Sequence, residues 1–156
     1  MNLNLKNKKV FISGSTKGIG YETARLFLDE GALVIINGRT KSSVDDALSK
    51  LNNKNASGII TDFLDDSQVE KLIDEIPDDI DILMVVHPKD LTNITRYAID
   101  QFVMSGKGAI FFVDPYSEVE RNALPIEERR TYIPGSNLNT LFSNYGAYVE
   151  PGMIVG

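Results

Sequence analysis

The chain alternates between two kinds of hydrophobic pattern. Short continuous apolar runs occupy residues 10–12, 33–36, 58–60, 80–86 and 109–113. Runs of this length, rich in β-branched and aromatic residues, predict strands buried on both faces. Between them the apolar residues recur with helical spacing. Thr23, Ala24, Phe27 and Leu28 share one face, and Gly31 follows as a C-cap. Val44, Ala47, Leu48 and Leu51 fall at i, i+3, i+4 and i+7 behind a Ser42/Ser43 cap. Val69, Leu72, Ile73 and Ile76 repeat that spacing behind a Ser67/Glu70 capping box. Leu91, Ile94, Ala98 and Phe102 predict a fourth helix, stopped at Gly106. Strand–helix alternation with short turns builds βαβ units. These give an α/β, doubly wound parallel sheet with helices on both faces.

The pattern changes after Val113. Residues 114–137 are polar and carry Pro115, Pro125 and Pro134. Short helices fit around 117–122 or 127–132, and a further one within 137–145. Residues 149–156 end the chain, around Pro151-Gly152. The reading is a single domain over 1–156, with its regular part at 1–113 and a reduced part at 114–156.

Composition narrows the function classes. At 156 residues, 42% hydrophobic and 24% charged, the chain is neither disordered nor collagen-like. It has no cysteine, which excludes disulfides, thiolate metal sites and a cysteine nucleophile. A net charge of -6 argues against binding nucleic acid or anionic membrane at large. No apolar run approaches the roughly 18 residues of a membrane span. Residues 1–9 have charge but no apolar core of a signal peptide, so a cytoplasmic protein is expected. Residues 62–81 hold nine acids and one lysine, read as a solvated face.

The first strand runs into Ser13-Gly14-Ser15-Thr16-Lys17-Gly18-Ile19-Gly20, and a helix follows. Three glycines let the backbone turn tightly and approach a pyrophosphate, while the helix N-terminus offers free N–H groups and a positive dipole end. The spacing is G-x-x-x-G-x-G. It is not a Walker A loop, since Lys17 precedes Gly18. A glycine cluster is informative in this strand–turn–helix setting; the alternative is a tight turn with no ligand.

This motif resembles the T-G-x-x-x-G-I-G of the short-chain dehydrogenase/reductase family, with Ser13 in place of threonine. Asn37-Gly38-Arg39-Thr40, after the second strand, resembles the N-G-R turn of NADPH-preferring members. Where NAD enzymes place a carboxylate for the ribose 2′-hydroxyl, this slot holds no acid. Arg39 offers a planar fork to a 2′-phosphate, a charge-assisted contact of about 1.5–3 kcal/mol, and Lys17 adds a point charge. Read without a ligand, Arg39 is a solvated loop arginine. Thr61-Asp62 matches the family's acidic residue that holds the adenine amino group, or is an ordinary strand-end aspartate. The resemblance thus implies a Rossmann-like fold. It also implies NADP(H), with NAD(H) less favoured, held by Gly14, Ser15, Thr16, Lys17, Gly18, Ile19, Gly20, Asn37, Arg39, Thr40 and Asp62.

The resemblance is strong over residues 5–83, partial to 113 and thin beyond. Asp81-Ile82-Leu83-Met84 matches the family's D-I-L-V, but its N-N-A-G is replaced by Val85-Val86-His87-Pro88. Asp114-Pro115 stands where the family has its serine pair. The family's acid is a tyrosine whose pKa is lowered by a lysine four residues on. Here Tyr116, Tyr132, Tyr145 and Tyr148 are followed at that spacing by Glu120, Ser136, Val149 and Gly152, and the last lysine is Lys107. Glu120 near Tyr116 would shift the phenol the wrong way. Residues 141–146 and 151–154 resemble the end of the family's catalytic helix, here too short, and its next strand, here compressed, which implies about six strands with a shortened C-terminal part.

His87, the sole histidine, stands at a strand's C-terminal end, where such folds bind ligands. It reads first as structural and second as a proton donor. Asp114 and Tyr116 are the other weak catalytic candidates, and a His87–Asp114 pair could form if their strands are neighbours. No nucleophile–base pair or metal set stands out. The expected function is an NADP(H)-binding family member, non-catalytic or much reduced in activity. The alternatives are an NADPH-dependent carbonyl reductase of 3-ketoacyl type using non-standard residues, a partner domain with a relic turn, or a remnant of a longer reductase gene. A homodimer or hetero-partner is expected, because shortened helices over a parallel sheet leave apolar surface.

Overall fold

The computed structural model describes residues 3–130 and 135–150. The order is β1 (Lys9–Ile12), α1 (Gly18–Asp29), β2 (Leu33–Gly38), α2 (Lys41–Leu51), β3 (Ala56–Ile60), α3 (Asp66–Glu75), β4 (Ile82–Val86), α4 (Asn93–Met104) and β5 (Gly108–Phe112). Then come α5 (Glu118–Ala123), α6 (Asn139–Phe142) and two short 3₁₀ turns. The five strands form one sheet in the order β3-β2-β1-β4-β5. The pairings β1–β2, β1–β4 and β2–β3 are parallel. The order runs outward from β1 in both directions, as a doubly wound α/β sheet requires. The sixth strand expected near the C-terminus falls on 151–156, outside the described residues.

Two compact units divide the chain: Met1–Val86 with Leu91–Phe111, and His87–Asp90 with Phe112–Gly156. The boundary falls two residues before the change of pattern after Val113, and the short segment after β4 joins the second unit.

In the first unit the register Phe11↔Ile35 and Phe11↔Leu83 sets side chains in alternating rows. Val10, Ile12, Val34, Ile36 and Met84 pack with Ala24 and Leu28 of α1 and Val44 and Ala47 of α2. Phe11, Ile35 and Leu83 point to the opposite face. The expectation of strands buried on both faces holds for β1, β2 and β4 but not for the sheet's edges. Ile60 of β3 is 47% exposed, and Ile110 and Phe112 of β5 are 40% and 42% exposed. An edge strand has a neighbour on one side, so its apolar run is not proof of burial.

The helix starts also differ in detail. α2 is capped by Thr40, whose Oγ1 accepts from Ser43 N–H, so Ser43 is the partner and not the cap. α3 is capped by Asp65, which accepts from the N–H groups of Ser67 and Gln68. An aspartate two residues ahead thus replaces the Ser67/Glu70 box, being equally able to accept from N2 and N3. In α4 the buried residues are Thr95 and Ile99, offset from the expected face, and Leu91 precedes the helix. Thr92 caps α4, and the Thr95 hydroxyl donates to Phe63 O, which turns that polar position inward.

Asp81 ties β1 to the start of β4. Its Oδ1 accepts from Lys8 Nζ at 2.7 Å and its Oδ2 from the Lys9 N–H at 2.9 Å. The hydrogen bond from Lys8, then that from the Lys9 amide, holds this carboxyl below its ordinary value of 3.8. A depressed carboxylate stabilises the fold above its unfolded pKa, and that contribution fades as pH falls through the lowered native value. Asp81→Asn should therefore cost about 1 kcal/mol at pH 7, discounted because the pair is partly exposed. The gap to the parent should close well below pH 3.8; urea unfolding at a series of pH values checks it.

Candidate functional site

The turn between β1 and α1 is built by glycines in distinct roles. Gly14 and Gly18 have φ of +58° and +60°, in the left-handed region that side chains avoid. Around Gly18 there is open space, with nothing within 4 Å of where a Cβ would stand. Gly20 is different. A Cβ there would lie 2.7 Å from Gly14 O and 2.9 Å from Ser15 Cα, so only glycine lets α1 close on the turn. Lys17, Gly18 and Ile19 are exposed at the mouth of this turn. The N-terminus of α1 has no side-chain cap and no acid in its first turn. Its N–H groups and dipole end face outward.

A buried polar network holds the turn against β2 and β3. Ser15 is wholly buried, its hydroxyl donating to Ile12 O at 2.6 Å and accepting from Asn37 N–H at 2.9 Å. Ser15 N–H donates to Asn37 O at 2.9 Å. Asn37, 2% exposed, accepts from Gly14 N–H at Oδ1 and donates through Nδ2 to Thr61 O at 3.2 Å and Ile59 O at 3.5 Å. Both residues belong to the stretch expected to hold a cofactor, but their side chains are engaged with the protein. They are turned inward, because a strand end this close to the turn leaves backbone groups that only they can satisfy. Ser13, outside the expected set, accepts from Val86 N–H at 2.9 Å and joins the turn to β4. The signal for these roles was present only as small polar residues at strand ends, where spacing does not distinguish scaffold from contact.

Arg39 and Thr40 are exposed beyond β2. Thr40 is committed to capping α2, while no hydrogen bond or ion pair binds the Arg39 side chain to the described residues. Gly38 lies against Thr16: a Cβ there would come within 2.5 Å of Thr16 Cγ2. Asp62 is half-buried after β3, its Oδ1 accepting from Leu64 N–H at 3.1 Å. The ends of β1, β2 and β3 thus bring Gly14, Thr16, Lys17, Arg39 and Asp62 to one side of the sheet, at the carboxyl ends of its strands.

The three weak catalytic candidates lie in the second unit. His87 has a left-handed φ of +48°, and Asp90 a φ of +46°. His87 N–H donates to Phe112 O at 2.8 Å, and Asn137 N–H donates to Pro88 O at 3.2 Å. His87 Nε2 lies 3.3 Å from Glu120 Oε1, and Lys89 Nζ donates to Glu120 Oε2. The bond from Lys89 is the main cause of a lowered Glu120 pKa, against the opposing effect of burial. The His87–Asp114 pair does not form. Asp114 folds onto its own turn, accepting from Tyr116 N–H at 3.1 Å, and α5 supplies Glu120 in its place. Tyr116 precedes α5, so the four-residue spacing does not stack it on Glu120; the Arg121 guanidinium lies 5.7 Å from its ring centroid. Among the described residues no cluster of His, Asp and Glu could hold a metal ion, and no helix is long and apolar enough to cross a membrane.

Comparisons with known proteins point in two directions. Residues 33–156 match the model of a family described as an ABC-type uncharacterized transport system. The Uncharacterized oxidoreductase YvrD of Bacillus subtilis (strain 168) is 36% identical over 109 residues, 65% of this chain and 41% of that protein. The 3alpha-hydroxysteroid dehydrogenase of Mediterraneibacter gnavus is 32% identical over 91 residues, 54% of this chain and 36% of that protein. A solved short chain dehydrogenase from Bacillus anthracis superposes with a TM-score of 0.59 at 27% identity, over 72% of this chain and 57% of the other. The chain spans less than two thirds of the length of each of these three. The transport-system match begins at β2 and leaves out β1 and the glycine turn.

Proposed function

The chain belongs to the short-chain dehydrogenase/reductase family, its residues 33–156 also fitting the transport-system family, and from the first of these we propose that it binds NADP(H) without working as a standard reductase. The observation that carries this is the glycine turn opening an uncapped α1 beside an exposed Arg39 that no described residue engages. The fit to a dinucleotide rests on shape and charge. Gly20 lets the helix start approach the turn, the space over Gly18 is open, and no acid repels a phosphate in the first turn.

In this reading the N–H groups at the start of α1 hold the pyrophosphate, and Arg39 with Lys17 holds a 2′-phosphate. Asp62, at the next strand end, faces the adenine amino group. Bound, the nicotinamide would supply hydride-transfer chemistry. The residues that would make use of it are a different matter. No tyrosine in this chain has a lysine four residues on, the spacing at which the family's phenol has its cation. Asp114-Pro115 offers no hydroxyl for a carbonyl oxygen.

Titration of NADPH and NADH by nucleotide fluorescence tests the reading. NADPH should bind more tightly, and Arg39→Ala should weaken NADPH about tenfold while leaving NADH nearly unchanged, the loss of one solvent-facing charge-assisted contact. Equal affinities in the parent, or no binding of either, would overturn it. Turnover of ketones or 3-ketoacyl thioesters would overturn the non-catalytic part alone. The match over 33–156 favours a second reading, in which the chain is a partner domain of a larger assembly and the turn is a relic; absence of binding to both nucleotides would select it.

A further inference from the structure

We infer that Asn37 is a positioning residue of the nucleotide site: one buried carboxamide holds the glycine turn, the Arg39 turn and the Asp62 turn in a single register without touching the ligand. The inference rests on the reading that this site takes a dinucleotide.

Three strand-end turns carry the proposed contacts: the Asn37 carboxamide is bonded into two of them, and its own strand leads into the third. Its Oδ1 accepts from Gly14 N–H at 3.2 Å, in the glycine turn. Its Nδ2 donates to Thr61 O, the carbonyl next to Asp62, and to Ile59 O. Its own backbone precedes Arg39 by two residues and is held by Ser15, which accepts from Asn37 N–H and donates to Asn37 O. At 2% exposure the carboxamide has no face for a ribose or phosphate, and its oxygen and nitrogen are both engaged. A carboxamide is the fitting group, because this position needs an acceptor on one side and a donor on the other. Gly14, at φ +58°, would lose its side-chain partner if that acceptor went.

A residue that positions the turns behaves differently from one that reads the 2′-phosphate. Asn37→Ala should weaken NADPH and NADH by the same factor, about tenfold, leaving their ratio as in the parent, whereas Arg39→Ala changes the ratio. Amide hydrogen exchange should quicken at Gly14 in Asn37→Ala. Asn37→Asp retains the acceptor and removes the donor. It should keep Gly14 protected and still weaken both nucleotides, and it serves if the alanine variant does not fold. A merely structural role would lower the melting temperature without changing the affinity of the folded variant. Either variant folding with parental affinities, or an altered NADPH/NADH ratio, would overturn the inference. If the parent binds no nucleotide, the reading of the site fails instead. In that case unchanged exchange at Gly14 in Asn37→Ala would still overturn the positioning by Asn37.

Discussion

Gly20→Ala should weaken NADPH binding roughly a hundredfold. The added methyl would meet Gly14 O at 2.7 Å and Ser15 Cα at 2.9 Å. Both obstacles are backbone, so no side chain can rotate away. Either α1 tilts from the turn or the turn opens, at an overpacking cost of about 1–3 kcal/mol. Both movements displace the N–H groups proposed to hold the pyrophosphate. Gly18→Ala is the control, since it meets nothing within 4 Å and suffers only from its φ of +60°, a strain of about 1–2 kcal/mol. Fluorescence titration of the two variants separates the roles. Parental affinity in a folded Gly20→Ala would show that the close approach of helix and turn is not what the ligand needs.

Phe11→Ala should lower stability by about 3–5 kcal/mol, the range for a large side chain removed from a core. Phe11 is 2% exposed at the centre of the sheet, between Ile35 of β2 and Leu83 of β4 in register. Domains are stable by about 5–15 kcal/mol in total, so this one change removes a large share. Val119→Ala, at a site 83% exposed, should change stability by less than about 0.5 kcal/mol. Urea unfolding midpoints read both. A cost below about 1 kcal/mol for Phe11 would mean that the face opposite the α1–α2 core is not packed as the register places it.

The regular part of the fold was legible because its signals are local. The period of the apolar residues separated strands from helices, and the glycines marked the turn. The misread caps at α2 and α3 came from several acceptors standing within two residues of each other. Asp65 and Ser67 are both competent, and only the helix's actual first turn chooses between them. The pairing of His87 failed for a similar reason. A histidine at a strand end can reach several carboxylates, and α5, a six-residue helix with no periodic pattern to announce it, brings Glu120 to the ring.

What the sequence determined by itself is the order of elements, the doubly wound sheet and the place of the glycine turn. Each depends on spacing along the chain or on backbone conformations that glycine alone adopts cheaply. What only the tertiary structure decided is which polar residues face solvent and which face inward. Ser15 and Asn37 read as contacts beside Arg39, yet two are buried and one is exposed. That choice depends on which backbone N–H and C=O groups the packing of β1, β2 and β3 leaves without partners. It is a property of the assembled sheet and of no single segment.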